Sequence, residues 1–577
     1  MSPPAEPGLP ASLALGALVA IAVLAPWPFG AVQPGPLFAV AALSLLVGAL
    51  ALAAGARRGG VALPAVPLWP LAGFVALALL QLVPLPAALH AVLAPGSHAV
   101  WHPAAAEVTA VLGKAARPVS VDPDSTLRSV ALAGGLALLA LLAAPALSRP
   151  ESTVRAVAVV GAFGFALSAY AIFARARFGA LLYGTIAVPT VGPFGPFVSK
   201  NHFAGWVAMA TLLVAGLALG LADRARSRGG DWTADPRAGT VILAIVAALA
   251  MALAGLASLS RGGAFALAVG GGCLAALRLF RGESRRPWSS LVLAGVLGSI
   301  LVALVPPEAH ERVRTLSGAS FRLDTWRDSL RLAASSPLLG HGLGAFHDAY
   351  PRFKRGHGLV RVEHAENDYV ETLAETGGLG LALALAGFAI VLATAARGVA
   401  RGPDRTVRGI GTGALAALAA LAAHSAVDFN LRIPSNAALA ALAAAAAAGA
   451  AGVRPRPLSR AGALGLAAFA LALVLATASL PDRPWLSARQ EAVQAAASAV
   501  PAVRQLRLER ADVALVRLLG RRPAQAESWL LLAGTRRALG DATAGAGLAR
   551  HAAWLDPGRP GLAEAVDSLS AAGGGPP

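Results

Sequence analysis

Glu363-His364-Ala365-Glu366-Asn367-Asp368-Tyr369 gathers a histidine, an asparagine and three acids into seven residues. Glu371 and Glu375 extend the run to the edge of a long apolar segment. Ionisable groups beside lipid are costly to hold, so such a cluster marks a functional site. His364 and Glu366 both accept protons, and either could act as general base toward a hydroxyl brought within hydrogen-bond reach. A carboxylate needs burial to become basic enough for that task, and the ordinary alternative for a loop histidine is solvation. Glu371 and Glu375 lie four apart, on one face of the helix that follows, where they suit orienting arginines better than exchanging protons.

Other groups have a chemistry that complements this cluster. Arg261, in Ser260-Arg261-Gly262-Gly263, sits at a turn between two apolar runs. A guanidinium there can fork onto phosphate oxygens at the bilayer surface, or simply anchor the turn by snorkelling to the headgroups. Arg322 opens Arg322-Leu323-Asp324-Thr325-Trp326-Arg327-Asp328-Ser329-Leu330, which reads as an amphipathic surface helix. Pro337 to Phe346, with His341 among its glycines, follows as a turn whose amides could cradle an anion or merely connect two helices. Lys200-Asn201-His202 precedes an apolar run among Phe194, Phe197 and Phe203, and offers contacts to a glycan or a phosphate. His424 and Asp428, four apart, read as a hydrogen-bonded pair. No cluster has convincing metal-ligand spacing, so neither a metal nor a cofactor is expected.

The elements that position these groups must be membrane helices. The 577 residues are 56% hydrophobic and 14% charged, with a mean hydropathy of +0.65, which is too apolar for a soluble domain. Runs of about 20 apolar residues, enough to cross the bilayer core, recur throughout. Thirteen spans are expected, near 11–25, 37–55, 67–83, 129–147, 154–173, 203–222, 239–258, 263–280, 289–305, 375–396, 408–424, 436–452 and 461–480. Arginines concentrate in the alternate short loops, including Arg57, Arg149, Arg228, Arg281, Arg285, Arg286, Arg401 and Arg454. The positive-inside rule then makes these loops and the N-terminus cytoplasmic, and places the loop 306–374 and the C-terminal region outside. All the polar clusters above fall on that outer side. The net charge of +18 is accounted for by orientation, with no nucleic-acid motif beside it. The lone Cys273 excludes an intramolecular disulfide framework.

The fold expected is an all-α polytopic membrane protein with a large outer loop and a C-terminal helical-repeat region. Its organisation reads as N-terminal membrane helices over 1–189, a core over 190–440, further membrane helices over 441–480, a helical region over 481–570 and a disordered tail over 571–577. In the C-terminal region, Trp529-Leu530-Leu531-Leu532-Ala533, Ala552 and Leu555-Asp556-Pro557 have the spacing of one tetratricopeptide repeat, with Arg536 where an aromatic is expected. One repeat cannot bury its own face, so further helices or a protein partner must cover it.

As an ordered set, Ser260-Arg261-Gly262-Gly263, Arg322-Leu323-Asp324-Thr325-Trp326, Pro337-Leu338-Leu339-Gly340-His341-Gly342, Asn367-Asp368-Tyr369 and Glu375-Thr376-Gly377-Gly378-Leu379-Gly380 resemble the O-antigen ligase and polymerase superfamily of bacterial membrane glycosyltransferases. His424-Ser425-Ala426-Val427-Asp428-Phe429 and Asn201-His202-Phe203-Ala204-Gly205 resemble its later and earlier spans, so the likeness covers roughly 190–440. The resemblance implies metal-independent transfer of a glycan from an undecaprenyl-pyrophosphate carrier to a hydroxyl of lipid A–core or of another glycan, at the outer face of the inner membrane. It implies that Arg261 and Arg322 bind the pyrophosphate and that an outer-loop base, His364 or Glu366, activates the acceptor. Lys200, Asn201, His202, Asn367, His341, Glu375, His424 and Asp428 form the wider set expected to contact donor or glycan. The sequence departs from the ligase pattern in one place: Glu366 stands before Asn367 where the family's ligases place a histidine. Protein O-oligosaccharyl transfer is a variant differing only in acceptor. A lipid-linked saccharide transporter or a non-catalytic scaffold are the readings from other classes; a transporter predicts charges at the bilayer midplane, whereas these lie at span ends.

Overall fold

Residues 8–571 are described in the computed structural model except 59, 65–67, 189–191, 228–232, 234, 281–316, 357, 402–403, 453–454 and 481–483. The expected span 289–305, the start of the outer loop at 306–316, Arg228, Arg281, Arg285, Arg286, Arg454 and the tail beyond Ala571 lie outside the described residues.

Among the described residues the chain is almost entirely helical, with two short antiparallel strand pairs, Val61–Pro64 with Pro455–Leu458 and Leu181–Leu182 with Ile186–Ala187. Nine described helices are long and apolar enough to cross a membrane, and Leu9–Leu24, Trp69–Leu80 and Pro434–Ala450 are shorter apolar helices. These coincide with every expected span except the one outside the described residues. The all-α polytopic architecture follows from the apolar runs, because only a helix satisfies its own backbone polar groups in lipid.

The chain forms two compact units. The first comprises Met1–Pro70, Ala131–Thr315 and Leu385–Ala478. At its centre the helix Lys200–Ser227, buried on nearly all sides, packs along Arg405–Ser425. The close approach is made by small residues four apart on both helices, Gly216 and Gly220 against Gly409 and Gly413. A Cβ on Gly216 would stand 2.6 Å from the Gly409 carbonyl oxygen, so the backbones touch where side chains would keep them apart. One end of this pair is tied by charge. Asp404 accepts from the Thr406 and Val407 amides as an N-cap and pairs with Arg224 at 3.1 Å.

The second unit comprises Leu71–Val130, Leu316–Ala384 and Ser479–Pro577. Its core collects Val108, Leu112, Phe346, Tyr350, Leu515, Trp529 and Leu548, so the C-terminal helices share one apolar interior with the two earlier segments. The helices Ala526–Ala538 and Ala542–Leu555 form a packed pair. Trp529 is fully buried between such elements and donates its indole N–H to the Pro523 carbonyl at 2.7 Å. Arg536, at the position where a repeat would have an aromatic, reaches Asp512 on the preceding helix instead, with Nη2 2.9 Å from Oδ2.

Candidate active site

Asn367 starts the helix Asp368–Arg401, its Oδ1 accepting from the Tyr369 and Val370 amides at 3.0 and 3.1 Å. Gly377 then interrupts that helix, at φ 66° and ψ −175°, a conformation that glycine adopts without a Cβ penalty. The interruption releases two carbonyls from helical pairing. Ala374 O takes the Nδ1 of His341 at 3.1 Å. Glu375 O takes the amides of His341 and Gly342 at 3.1 and 2.9 Å, and Nε2 of Gln81 at 2.8 Å. The Gly378 amide turns away to the Pro337 carbonyl at 2.7 Å.

The glycine-rich turn, read from sequence as either an anion cradle or a connection between helices, bonds these amides to the broken helix. The amide of Leu343 goes to Oε1 of Gln81 at 3.0 Å and that of Phe346 to Oε1 of Glu375 at 3.3 Å. His341 is buried, and its Nε2 meets the Ser335 hydroxyl at 3.0 Å while Nδ1 holds Ala374 O. Burial lowers its pKa to about 4, so the ring is neutral and serves as a strut between the turn and the helix. Glu375, 1% exposed, braces the same turn. Gln81, central to this junction, carries no sequence signal: it is one amide at the end of an apolar run.

The polar stretch before Asp368 is where reactive groups reach the surface. Arg322, on the helix Ser317–Ser335, pairs through Nη2 with Oε2 of Glu366 at 3.3 Å. Glu366 is held at φ 56°, a left-handed conformation that costs a β-carbon-bearing residue of order 1–3 kcal/mol and recurs at functional sites. Two residues earlier, Nδ1 of His364 lies 2.9 Å from Oε1 of Glu371, whose other oxygen accepts the Ala365 amide at 2.8 Å. The Glu371 side chain is 1% exposed, whereas those of His364 and Arg322 are each 31% exposed. A buried carboxylate thus backs an accessible imidazole, beside an accessible guanidinium. Glu371, expected to orient an arginine, holds His364 and the Ala365 amide against its two oxygens.

The remaining candidates lie in the first unit. Arg261 is exposed at the start of the helix Arg261–Phe280. The Ser260 hydroxyl before it accepts the Gly263 amide at 3.1 Å and donates to Oδ1 of Asn201 at 2.8 Å. Lys200 opens the helix Lys200–Ser227. Nε2 of His202 and Nε2 of His424 lie 3.6 and 3.9 Å from the two oxygens of Asp428. Burial by itself would raise the Asp428 pKa, but His202, His424 and the Phe429 amide hold it down at about 2. Nδ2 of Asn436 closes the network on the His202 carbonyl at 3.0 Å and on Oδ1 of Asn430 at 2.8 Å. Asn430 and Asn436 were missed by the sequence reading; the polar run Asn430 to Asn436 ahead of an alanine-rich helix was the available signal.

Arg322, His341, His364, Glu366, Asn367 and Glu375 thus belong to the second unit, and Lys200, Asn201, His202, Arg261, His424 and Asp428 to the first. Among the described residues, Asp122, His347 and Asp348 place ligand atoms close enough together to hold a metal. That position is taken by Arg522, which meets the Asp122 carboxylate, lies 3.4 Å from Oδ2 of Asp348 and 3.3 Å from Nε2 of His347.

Residues 246–385 match the family model described as O-antigen ligase. The match encloses Arg261, Arg322, His341, His364, Glu366, Asn367 and Glu375, and leaves Lys200, Asn201, His202, His424 and Asp428 outside it. No curated protein matches the chain. Residues 246–385 thus carry a segment similar to the O-antigen ligase family inside a helical membrane architecture.

Proposed function

We propose that this protein is an extracytoplasmic glycosyltransferase of surface-polysaccharide synthesis, taking a glycan from an undecaprenyl-pyrophosphate carrier in the inner membrane to an acceptor hydroxyl. The observation that supports this reading is a guanidinium and an imidazole, both partly exposed and each beside a carboxylate, within the family-matched segment. Arg322 sits beside Glu366, and His364 is backed by Glu371. In the reaction the acceptor oxygen attacks the anomeric carbon and the bond from that carbon to the phosphate oxygen breaks. The acceptor proton passes to His364 or Glu366, and the lipid pyrophosphate leaves as an anion. Its charge grows as the bond breaks, and a guanidinium aimed at it stabilises the transition state more than the ground state. Arg322, partly exposed beside Glu366, is the guanidinium assigned to that charge. Arg261 is assigned the same chemistry by family resemblance.

The test is release of undecaprenyl pyrophosphate by protein reconstituted in lipid, with an undecaprenyl-pyrophosphate glycan as donor and lipid A–core, glycan and protein acceptors in turn. Release by wild type that falls by about 10²–10³-fold in Arg322→Ala is the expected result. The acceptor that supports release identifies a ligase, a polymerase or a protein glycosyltransferase. Donor binding without release, with every acceptor, would sink the transferase reading and favour transport or scaffolding.

A further inference from the structure

We propose that Glu371 is a positioning residue that fixes the His364 imidazole with its Nε2 as the proton acceptor, making His364 the base and leaving Glu366 as the partner of Arg322. This rests on the transfer reading above. An ionised carboxylate only accepts hydrogen bonds, so His364 and the Ala365 amide must each donate to Glu371. Its Oε2 takes the Ala365 amide at 2.8 Å, and its Oε1 takes His364 at 2.9 Å. The proton of a neutral ring therefore sits on Nδ1, and Nε2 has the lone pair.

The arrangement is held from three sides. Glu371 is in the first turn of the helix Asp368–Arg401, where its backbone amide bonds the Asn367 carbonyl at 3.0 Å. Asn367 caps that helix, and the Ala365 amide ties the preceding loop back onto the Glu371 carboxylate. His364 therefore cannot rotate without giving up a bond to a carboxylate that is 1% exposed. Two residues on, Glu366 reaches Arg322 at 3.3 Å. The base and the phosphate-binding arginine thus each have their own carboxylate, and the roles the sequence left open between His364 and Glu366 are divided by their partners.

Glu371→Gln tests this. A glutamine keeps an oxygen for the Ala365 amide but presents an N–H to Nδ1, which drives the ring proton to Nε2 and removes the acceptor. Expected in reconstituted protein are a fall in kcat of about 10²–10⁴-fold and a donor KM little changed, because the loss is confined to the chemical step. His364→Ala should lose kcat to a comparable degree. Independently of turnover, ¹⁵N spectra of histidine-labelled wild type, with His364 assigned by difference from His364→Ala, should show Nδ1 protonated, and the two nitrogens should exchange roles in Glu371→Gln. Wild-type kcat in Glu371→Gln, or a wild-type ring protonated on Nε2, overturns the proposal. Should wild type release no lipid pyrophosphate with any acceptor, the transfer reading fails, and the tautomer still decides whether Glu371 orients the ring. A Glu371→Gln protein that loses its melting transition leaves the wild-type spectrum as the deciding measurement.

Discussion

Glu366 and Arg322 form an ion pair at a partly exposed position, so Glu366 competes with solvent and with any phosphate for the guanidinium. Replacing Glu366 by glutamine frees the guanidinium. With His364 as the base, the expected outcome is tighter donor binding with kcat held within about tenfold of wild type, whereas removal of a true base costs about 10²–10⁴-fold in kcat. Steady-state kinetics against donor concentration separate the two. Asp428 makes a different kind of prediction, on stability. Its folded pKa, depressed from 3.8 to about 2, contributes stability that is present above pH 4 and is lost as the pH falls toward 2. The shift corresponds to about 2 kcal/mol. Thermal melts in detergent should show wild type losing more stability than Asp428→Asn between pH 5 and pH 2, to an extent on the order of that shift. Equal losses in both proteins would mean that the His202–Asp428–His424 contacts carry no charge-dependent stability.

At the scale of elements, the break at Gly377 does more than bend a helix. It turns the Ala374 and Glu375 carbonyls into the acceptors that seat His341, Gly342 and Gln81, and so joins the glycine-rich turn to the helix that starts beside His364. An alanine at 377 would have to take φ 66°, and its Cβ would overlap the Leu338 carbonyl. Strain of order 1–3 kcal/mol is expected before any clash is relieved. Gly377→Ala should therefore lower the melting temperature and transfer activity together. Gly378→Ala, whose Cβ would come no nearer than 3.5 Å to the Pro337 carbonyl oxygen, should do far less. Unchanged melting of Gly377→Ala would show that the junction does not depend on this backbone conformation. The paired glycines of Lys200–Ser227 and Arg405–Ser425 illustrate the same dependence of element contact on an absent side chain.

At the scale of the whole molecule, the C-terminal helices are bound into the second unit by charge as well as by the Trp529 core. Asp122 is fully buried, and the guanidinium of Arg522, itself 12% exposed, sits against it and against Asp348. Burial opposes ionisation of Asp122, but Arg522 and His347 lower its pKa on balance. Arg522→Ala would leave two carboxylates without this partner in a poorly solvated place, at a cost of about 3–5 kcal/mol. Arg521, half-exposed in its pair with Asp124, should cost under about 1 kcal/mol when replaced by alanine. Limited proteolysis or hydrogen exchange over 484–571 should report the difference. Equal protection in the two variants would mean that apolar packing alone holds these helices.

Twelve helices and the family-bearing motifs were legible in the sequence because each is a local property. An apolar run long enough for the bilayer must be helical, and the order of Arg261, Arg322, Asn367 and the Gly377–Gly380 pair is written along the chain. The types of group able to do the chemistry were legible for the same reason. Which group serves which partner was not, because that depends on backbone conformation and on contacts far apart in sequence. Gln81 meets Glu375 across 294 positions, and Arg522 meets Asp122 across 400. Glu366 turns toward Arg322, and His364 toward Glu371, only in the left-handed turn that precedes the Asn367 cap. The sequence by itself determined a helical membrane protein with a segment similar to the O-antigen ligase family. The tertiary structure alone decided that a carboxylate stands behind the histidine and another in front of the arginine, since side-chain pairing is settled by packing and not by spacing.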